Sequence, residues 1–205
     1  MPKDFIFAVK ANRFITHVKR LLDCSEPLKR LSEQAKGLGD NLGPVLFQLP
    51  PSWKANGKRL EFFLHELRTI SAANSAGPDI SEERHSAKGR PADFNQELIT
   101  VFEFRHQSCF FEPIFKILVK YNAGIVINDS PHFPKTREIT ANFTYIRFHG
   151  PSALYSSEYS DSELAIWAKK IKNWAKSGVR VYGYFNNDVG GYAVKNARTL
   201  IEMVS

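Results

Sequence analysis

Charged and polar residues sit on strand-length apolar runs, at places where a buried strand should carry none. In Val101-Phe102-Glu103-Phe104-Arg105 the phenylalanines share one face and Glu103 and Arg105 the other, because successive side chains alternate along a strand. Tyr145-Ile146-Arg147-Phe148-His149 repeats the pattern, with Arg147 and His149 opposite Ile146 and Phe148. Lys10 opposes Phe5, Phe7 and Val9; Gln48 opposes Phe47 and Leu49; Tyr182, Tyr184 and Asn186 oppose Val181, Gly183 and Phe185. A charge taken out of water without a partner is strongly destabilising, so these groups must be paired or face a wet cavity. Cations outnumber acids in the set: Lys10, Arg105 and Arg147 stand against Glu103 and Asp129. That balance points to an anionic, phosphate-bearing ligand. Glu103, His149 and Asp129 are the candidate catalytic groups, since an acid or base lying among charges can have its pKa tuned. The rival arrangement is an internal salt-bridge lattice, Glu103 with Arg105 or Arg147, capped by His149.

Two further clusters lean toward the same ligand class. Asn186-Asn187-Asp188-Val189-Gly190-Gly191 joins the last strand to the last helix, and a glycine-containing turn at a helix start offers N–H groups to phosphate. Such a turn is also ordinary capping. Lys10-Ala11-Asn12-Arg13-Phe14-Ile15-Thr16-His17 gathers donors just after the first strand, with Arg13 and His17 the further ligand candidates; a solvated loop is the alternative. Glu103, His106, Asp129, His149 and Asp188 are residue types that hold divalent metals. No His-x-x-x-His, Cys-x-x-Cys or paired-Asp spacing marks them, so a metal has weak support and the cofactor is unknown. No nucleophile elbow, Walker loop or dinucleotide fingerprint is present. Phosphoester hydrolysis or sugar-phosphate chemistry is the reaction class these groups would serve.

The elements that must position these residues are six β-rich runs: Phe5–Lys10, Pro44–Leu49, Thr100–Arg105, Gly124–Asp129, Thr144–His149 and Val179–Phe185. Helical stripes lie between and after them. Leu60, Phe63, Leu64 and Leu67 form one, and Ile114, Ile117, Leu118 and Tyr121 another, with Pro113 suited to a first turn. A third, Leu164 to Trp174, opens on a Ser160-to-Glu163 capping box; the last runs from Ala193 to Val204. Strand and helix alternate, which predicts an α/β fold with a parallel sheet or barrel. In a barrel the apolar strand faces meet outer helices, the polar faces point inward, and active sites lie at the carboxyl ends of the strands. Ser71 to Gln96 is polar and without apolar period, and reads as a partly mobile surface insertion in a single domain spanning 1–205.

Composition narrows the partners. The 205 residues are 43% hydrophobic, which excludes disorder. No apolar run reaches membrane-spanning length, and Met1-Pro2-Lys3-Asp4 does not open a signal peptide. Two cysteines without ligand spacing fit a reducing cytosol. Residues 1–60 carry 11 Lys/Arg against 5 Asp/Glu; this basic third would suit a non-catalytic nucleic-acid binder, or simply solvate a helix face. Oligomeric state is not readable from the chain.

Taken together, FAVKANRFITH (7–17), GPVLFQLPPSW (43–53), FEFRHQS (102–108), NDSP (128–131), YIRFHG (145–150) with Tyr155 and Tyr159, LAIWAKKI (164–171) and VYGYFNNDVGGYAVKNA (181–197) form a specific pattern. The chain resembles the YecE-like family, domain of unknown function 72, over nearly its whole length outside 71–96. The resemblance implies a TIM-type (β/α) barrel of uncharacterised activity, with the strand-end residues already named as its rim. It also implies two earlier strands, the first with glycine and tryptophan and the second ending in Glu-Ile-Asn, which this sequence lacks. The barrel is therefore expected to be incomplete: a fragment, a chain completed by a partner, or an open and inactive member. Cys109 stands where the family has Trp, and Asn128 where it has Thr or Ser.

Overall fold

The computed structural model describes residues 5–75 and 98–205. The chain divides into two compact units, residues 1–103 and 104–205.

In the first unit three parallel strands, β1 (Phe7–Lys10), β2 (Leu42–Gln48) and β3 (Thr100–Glu103), pair in that order. Parallel neighbours need a crossover, and helices α1 (Ser25–Lys36) and α2 (Gly57–Ser75) lie in those connections. Phe47 and Phe102 stack at 5.4 Å, and Phe63 of α2 meets both edge-on. The helix-facing side of β2 and β3 is thus the phenylalanine side, as alternation predicts. On α1 the buried residues are Leu28, Leu31, Ser32 and Ala35, a stripe at helical spacing. Ser25 of α1 is hydrogen-bonded to Glu66 of α2. Of the polar stretch 71–96, residues 71–75 are the end of α2, with Ser71 buried; the rest lies outside the described residues.

The second unit repeats the plan with β4 (Gly124–Asp129), β5 (Phe143–Phe148) and β6 (Arg180–Phe185), again parallel and in order. Helix α3 (Glu112–Lys120) precedes β4, α4 (Asp161–Lys176) joins β5 to β6, and α5 (Tyr192–Val204) follows. Ile146 and Phe148 of β5 pack with Leu164, Ala168 and Leu200 of the last two helices. Phe148 lies parallel to Phe185 at 4.3 Å and edge-on to Trp167 at 5.1 Å. Three strands end earlier than their sequence pattern suggests, at Gln48, Glu103 and Phe148, so Arg105 and His149 stand on the connections just beyond. The ladder still reaches His149, whose N–H donates to the Asp129 carbonyl at 2.9 Å.

Cys24, in the first unit, and Cys109, in the second, are thiols outside any disulfide and with no solvent exposure, and burial pushes the pKa of both up to about 11. Among the described residues no helix is long and apolar enough to cross a membrane.

Helix α4 begins with the capping box its sequence announces. The Ser160 hydroxyl accepts from the Glu163 N–H at 3.3 Å, and a Glu163 oxygen accepts from the Ser160 N–H at 2.9 Å. Replacing Ser160 with Ala leaves one of these donors to solvent and should lower stability by about 1 kcal/mol. Urea denaturation measures this as a lower midpoint at unchanged slope.

Candidate functional site

Register assembles the polar residues of the second unit. Asn128 of β4 lies opposite Arg147 of β5, and Arg147 opposite Tyr184 of β6. Paired residues of a sheet share a face, so these three form one row, on the side away from Phe148 and the helices. Arg147 Nε donates to Asn186 Oδ1 at 3.1 Å, which fixes the plane of its guanidinium. One residue beyond β5, the fully buried His149 places its Nε2 3.2 Å from Asn128 Oδ1. The imidazole is framed edge-on by Phe133 at 5.1 Å and Tyr155 at 5.4 Å. The Arg105 guanidinium lies 3.5 Å from the centre of the Phe133 ring, so its charge is carried on an aromatic face.

This surrounding decides the protonation of His149. Burial first, then the charges of Arg147 and Arg105, push it down to about 3. At neutral pH the ring is uncharged, with one nitrogen donating and the other accepting. Asn128 is 2% exposed, and its Nδ2 has no hydrogen-bond partner among the described residues. A buried amide donor in that state is destabilising unless something accepts from it.

A second polar lattice holds the loop after β5. Trp167 Nε1 donates to Asp129 Oδ2 at 2.7 Å, so Asp129, a candidate acid by sequence, is engaged by α4 on the helix side of the sheet. Asn187 is also fully buried. Its Nδ2 donates to the Ser157 carbonyl and to Asn196 Oδ1, both at 2.9 Å. Asn196 in turn bonds the backbone N–H and carbonyl of Tyr159 at 3.2 and 3.0 Å. The Tyr159 hydroxyl accepts from the Gly150 N–H at 3.2 Å. Gly150 has φ 104°, and a Cβ there would stand 2.5 Å from the Ala153 carbonyl oxygen, so only glycine serves. Of the remaining strand-end candidates, Asp188 is exposed and His106 uses Nδ1 to accept from the Ser108 N–H at 3.2 Å.

The first unit holds the other candidates. Lys10 is exposed at the end of β1, Arg13 precedes a π-helical turn (Phe14–Val18), and His17 of that turn bonds Thr16 Oγ1 through Nδ1 at 2.8 Å. The pKa of His17 is lowered by partial burial and then by the Arg13 and Lys10 charges, so the three share one cationic neighbourhood. Gln48 and Glu103 are register partners on β2 and β3, and Glu103 is fully buried. Among the described residues no three His, Cys, Asp or Glu side chains converge as metal ligands.

Arg105, Arg147, His149 and Asn186, all candidates by sequence, come together in the second unit. Asn128, Phe133, Tyr159, Trp167 and Asn196 join them without being site candidates by pattern. The available signal for Asn128 was its place two residues after Val126 on one strand face; for Asn196 it was a polar residue within an apolar helix stripe.

Because His149 is neutral when folded and titrates near 6.5 when exposed, protonation favours the unfolded chain. Its contribution to stability is complete above about pH 6.5 and is lost as pH falls toward about 3, by up to about 1.4 kcal/mol per pH unit. Proton NMR of the His149 ring should show no titration between about pH 8 and 5. His149→Gln should flatten the stability slope below about pH 6.5 relative to the parent chain.

Comparison with known proteins adds to this geometry. The family described as "Protein of unknown function DUF72" matches residues 1–205. No curated protein matches. A crystal structure of a DUF72 family protein from Thermotoga maritima MSB8 is 26% identical, with a TM-score of 0.74 over 100% of this chain and 75% of that one. A DUF72 family protein from Enterococcus faecalis V583, 17% identical, superposes with a TM-score of 0.74 over 99% of this chain and 75% of its own, and speaks for the fold alone. Among the described residues, six parallel strands alternating with helices are an incomplete set for the TIM-type α/β barrel, whose full complement is eight. The chain belongs to the DUF72 family.

Proposed function

We propose that the second unit binds a phosphate-bearing anionic small molecule at the carboxyl ends of β4, β5 and β6. The supporting observation is the convergence of Arg147 and Arg105 on an imidazole that burial first, and then their fields, keep neutral. The Asn128 Nδ2 donor, which has no hydrogen-bond partner among the described residues, lies beside it. A phosphate accepts several N–H bonds at once, and guanidinium matches its oxygens with a rigid fork. Ligands of parallel α/β sheets gather at this end of the strands.

In this reading His149 is a hydrogen-bonding group, since a base held near 3 is too weak to accept a proton from water or an alcohol at neutral pH. Arg147, oriented by Asn186, carries the anion, and Arg105 adds charge from the Phe133 face. Titration calorimetry with inorganic phosphate tests this. Arg147→Gln should weaken binding about tenfold or more, the size of a lost hydrogen bond to a charged group, and adding Arg105→Gln should abolish it. Affinity unchanged in the double variant would overturn the proposal.

A second reading, a nucleic-acid surface on the first unit, rests on residues 5–22. They contain Lys10, Arg13, Lys19 and Arg20 and no acid, with Lys10 and Arg13 exposed. Duplex binding through this segment should fall with salt at a log–log slope of about −3 to −4. A flat response removes it.

A further inference from the structure

We propose that the ligand of the second unit carries its anionic group on a planar aromatic ring, and that this ring stacks on Tyr184. The inference rests on the anion-binding reading and extends it to the uncharged part of the molecule.

The argument begins with the rows on the polar face. Below the row Asn128, Arg147, Tyr184 runs the row Val126, Tyr145, Tyr182. Tyr145 and Tyr184 lie parallel at 4.6 Å with planes 21° apart, and Phe143 meets Tyr182 edge-on at 6.1 Å. The polar face of β5 and β6 is therefore an aromatic floor, with Arg147 at its upper edge. Tyr184 is the register partner of Arg147, about one strand spacing (~4.8 Å) away. Asn186, which holds the guanidinium, stands two residues beyond Tyr184 on the same strand direction. An anion seated on Arg147 thus brings whatever it is attached to against the Tyr184 ring.

The Tyr184 ring is only partly buried, whereas Tyr145 beneath it is 4% exposed. Among the described residues of this unit, β6 pairs with β5 alone, and none of its six residues is buried. A third ring would continue the Tyr145–Tyr184 stack, and offset-parallel rings are a favoured aromatic geometry. Burial, with Tyr182 nearby, pushes the Tyr184 hydroxyl up to about 12, so this ring is uncharged at neutral pH and does not repel an anion.

Calorimetry on the full chain with three probes decides the matter: inorganic phosphate, glycerol 3-phosphate and phenyl phosphate. Phenyl phosphate should bind about tenfold tighter than glycerol 3-phosphate, the scale of stacking on one aromatic side chain. Tyr184→Leu should bring the two together, and Tyr184→Phe should keep the preference. Equal binding of the two esters by the parent chain, or a preference surviving Tyr184→Leu, overturns the ring assignment and leaves the anion site standing. Failure of all three probes removes the anion site and the inference with it.

Discussion

The site of the second unit depends on the register of three parallel strands. Asn128, Arg147 and Tyr184 share a row because β4, β5 and β6 pair in step, and the side-chain period of a strand is two. A slip of one residue at β5 would turn Arg147 toward Leu164 and Ala168 and bring Phe148 to the polar face. Burying a guanidinium in that apolar cluster would be far more destabilising than the exposure of one ring. The packing of Phe148 against Phe185 and Trp167 and the placement of Arg147 are thus two readings of the same constraint.

What register does along the strands, the polar lattice does for the loop beyond them. Asp129, Trp167, Asn187, Asn196 and the backbone of Tyr159 tie residues 150–159 to both flanking helices. Every bond in this lattice that is buried replaces one that water would otherwise supply, so its net contribution to stability is modest. Its effect is on position: Tyr155, in left-handed backbone at φ 64°, is held with its ring against His149 and its N–H on the His149 carbonyl.

Strand alternation and turn signals made much of this fold readable from the residues. All six runs became strands within a few residues of their expected ends, and the α4 capping box formed as written. Helix α1 is hard to see as an apolar stripe because Lys29, Arg30 and Lys36 interrupt it, although Leu28, Leu31 and Ala35 carry the period. In the site, Arg147 and His149 are legible because a guanidinium or an imidazole in an apolar strand pattern is conspicuous. The Asp129–Trp167 bond was not, since its partners are 38 residues apart and each has an ordinary local explanation. Asn187 likewise looked like a ligand in a polar turn, and only its burial shows it spanning Ser157 and Asn196. Local pattern tells which residues are out of place; through-space partnership tells what occupies them.

The two buried thiols have a use that neither site requires. Cys24 sits within the first compact unit and Cys109 within the second, and each is shielded from solvent and held as a thiol rather than a thiolate. A thiol reagent reaches such a group only when its surroundings open. The chain therefore carries one internal reporter per unit, and the rates at which Cys24 and Cys109 become labelled read how often each half of the molecule opens by itself.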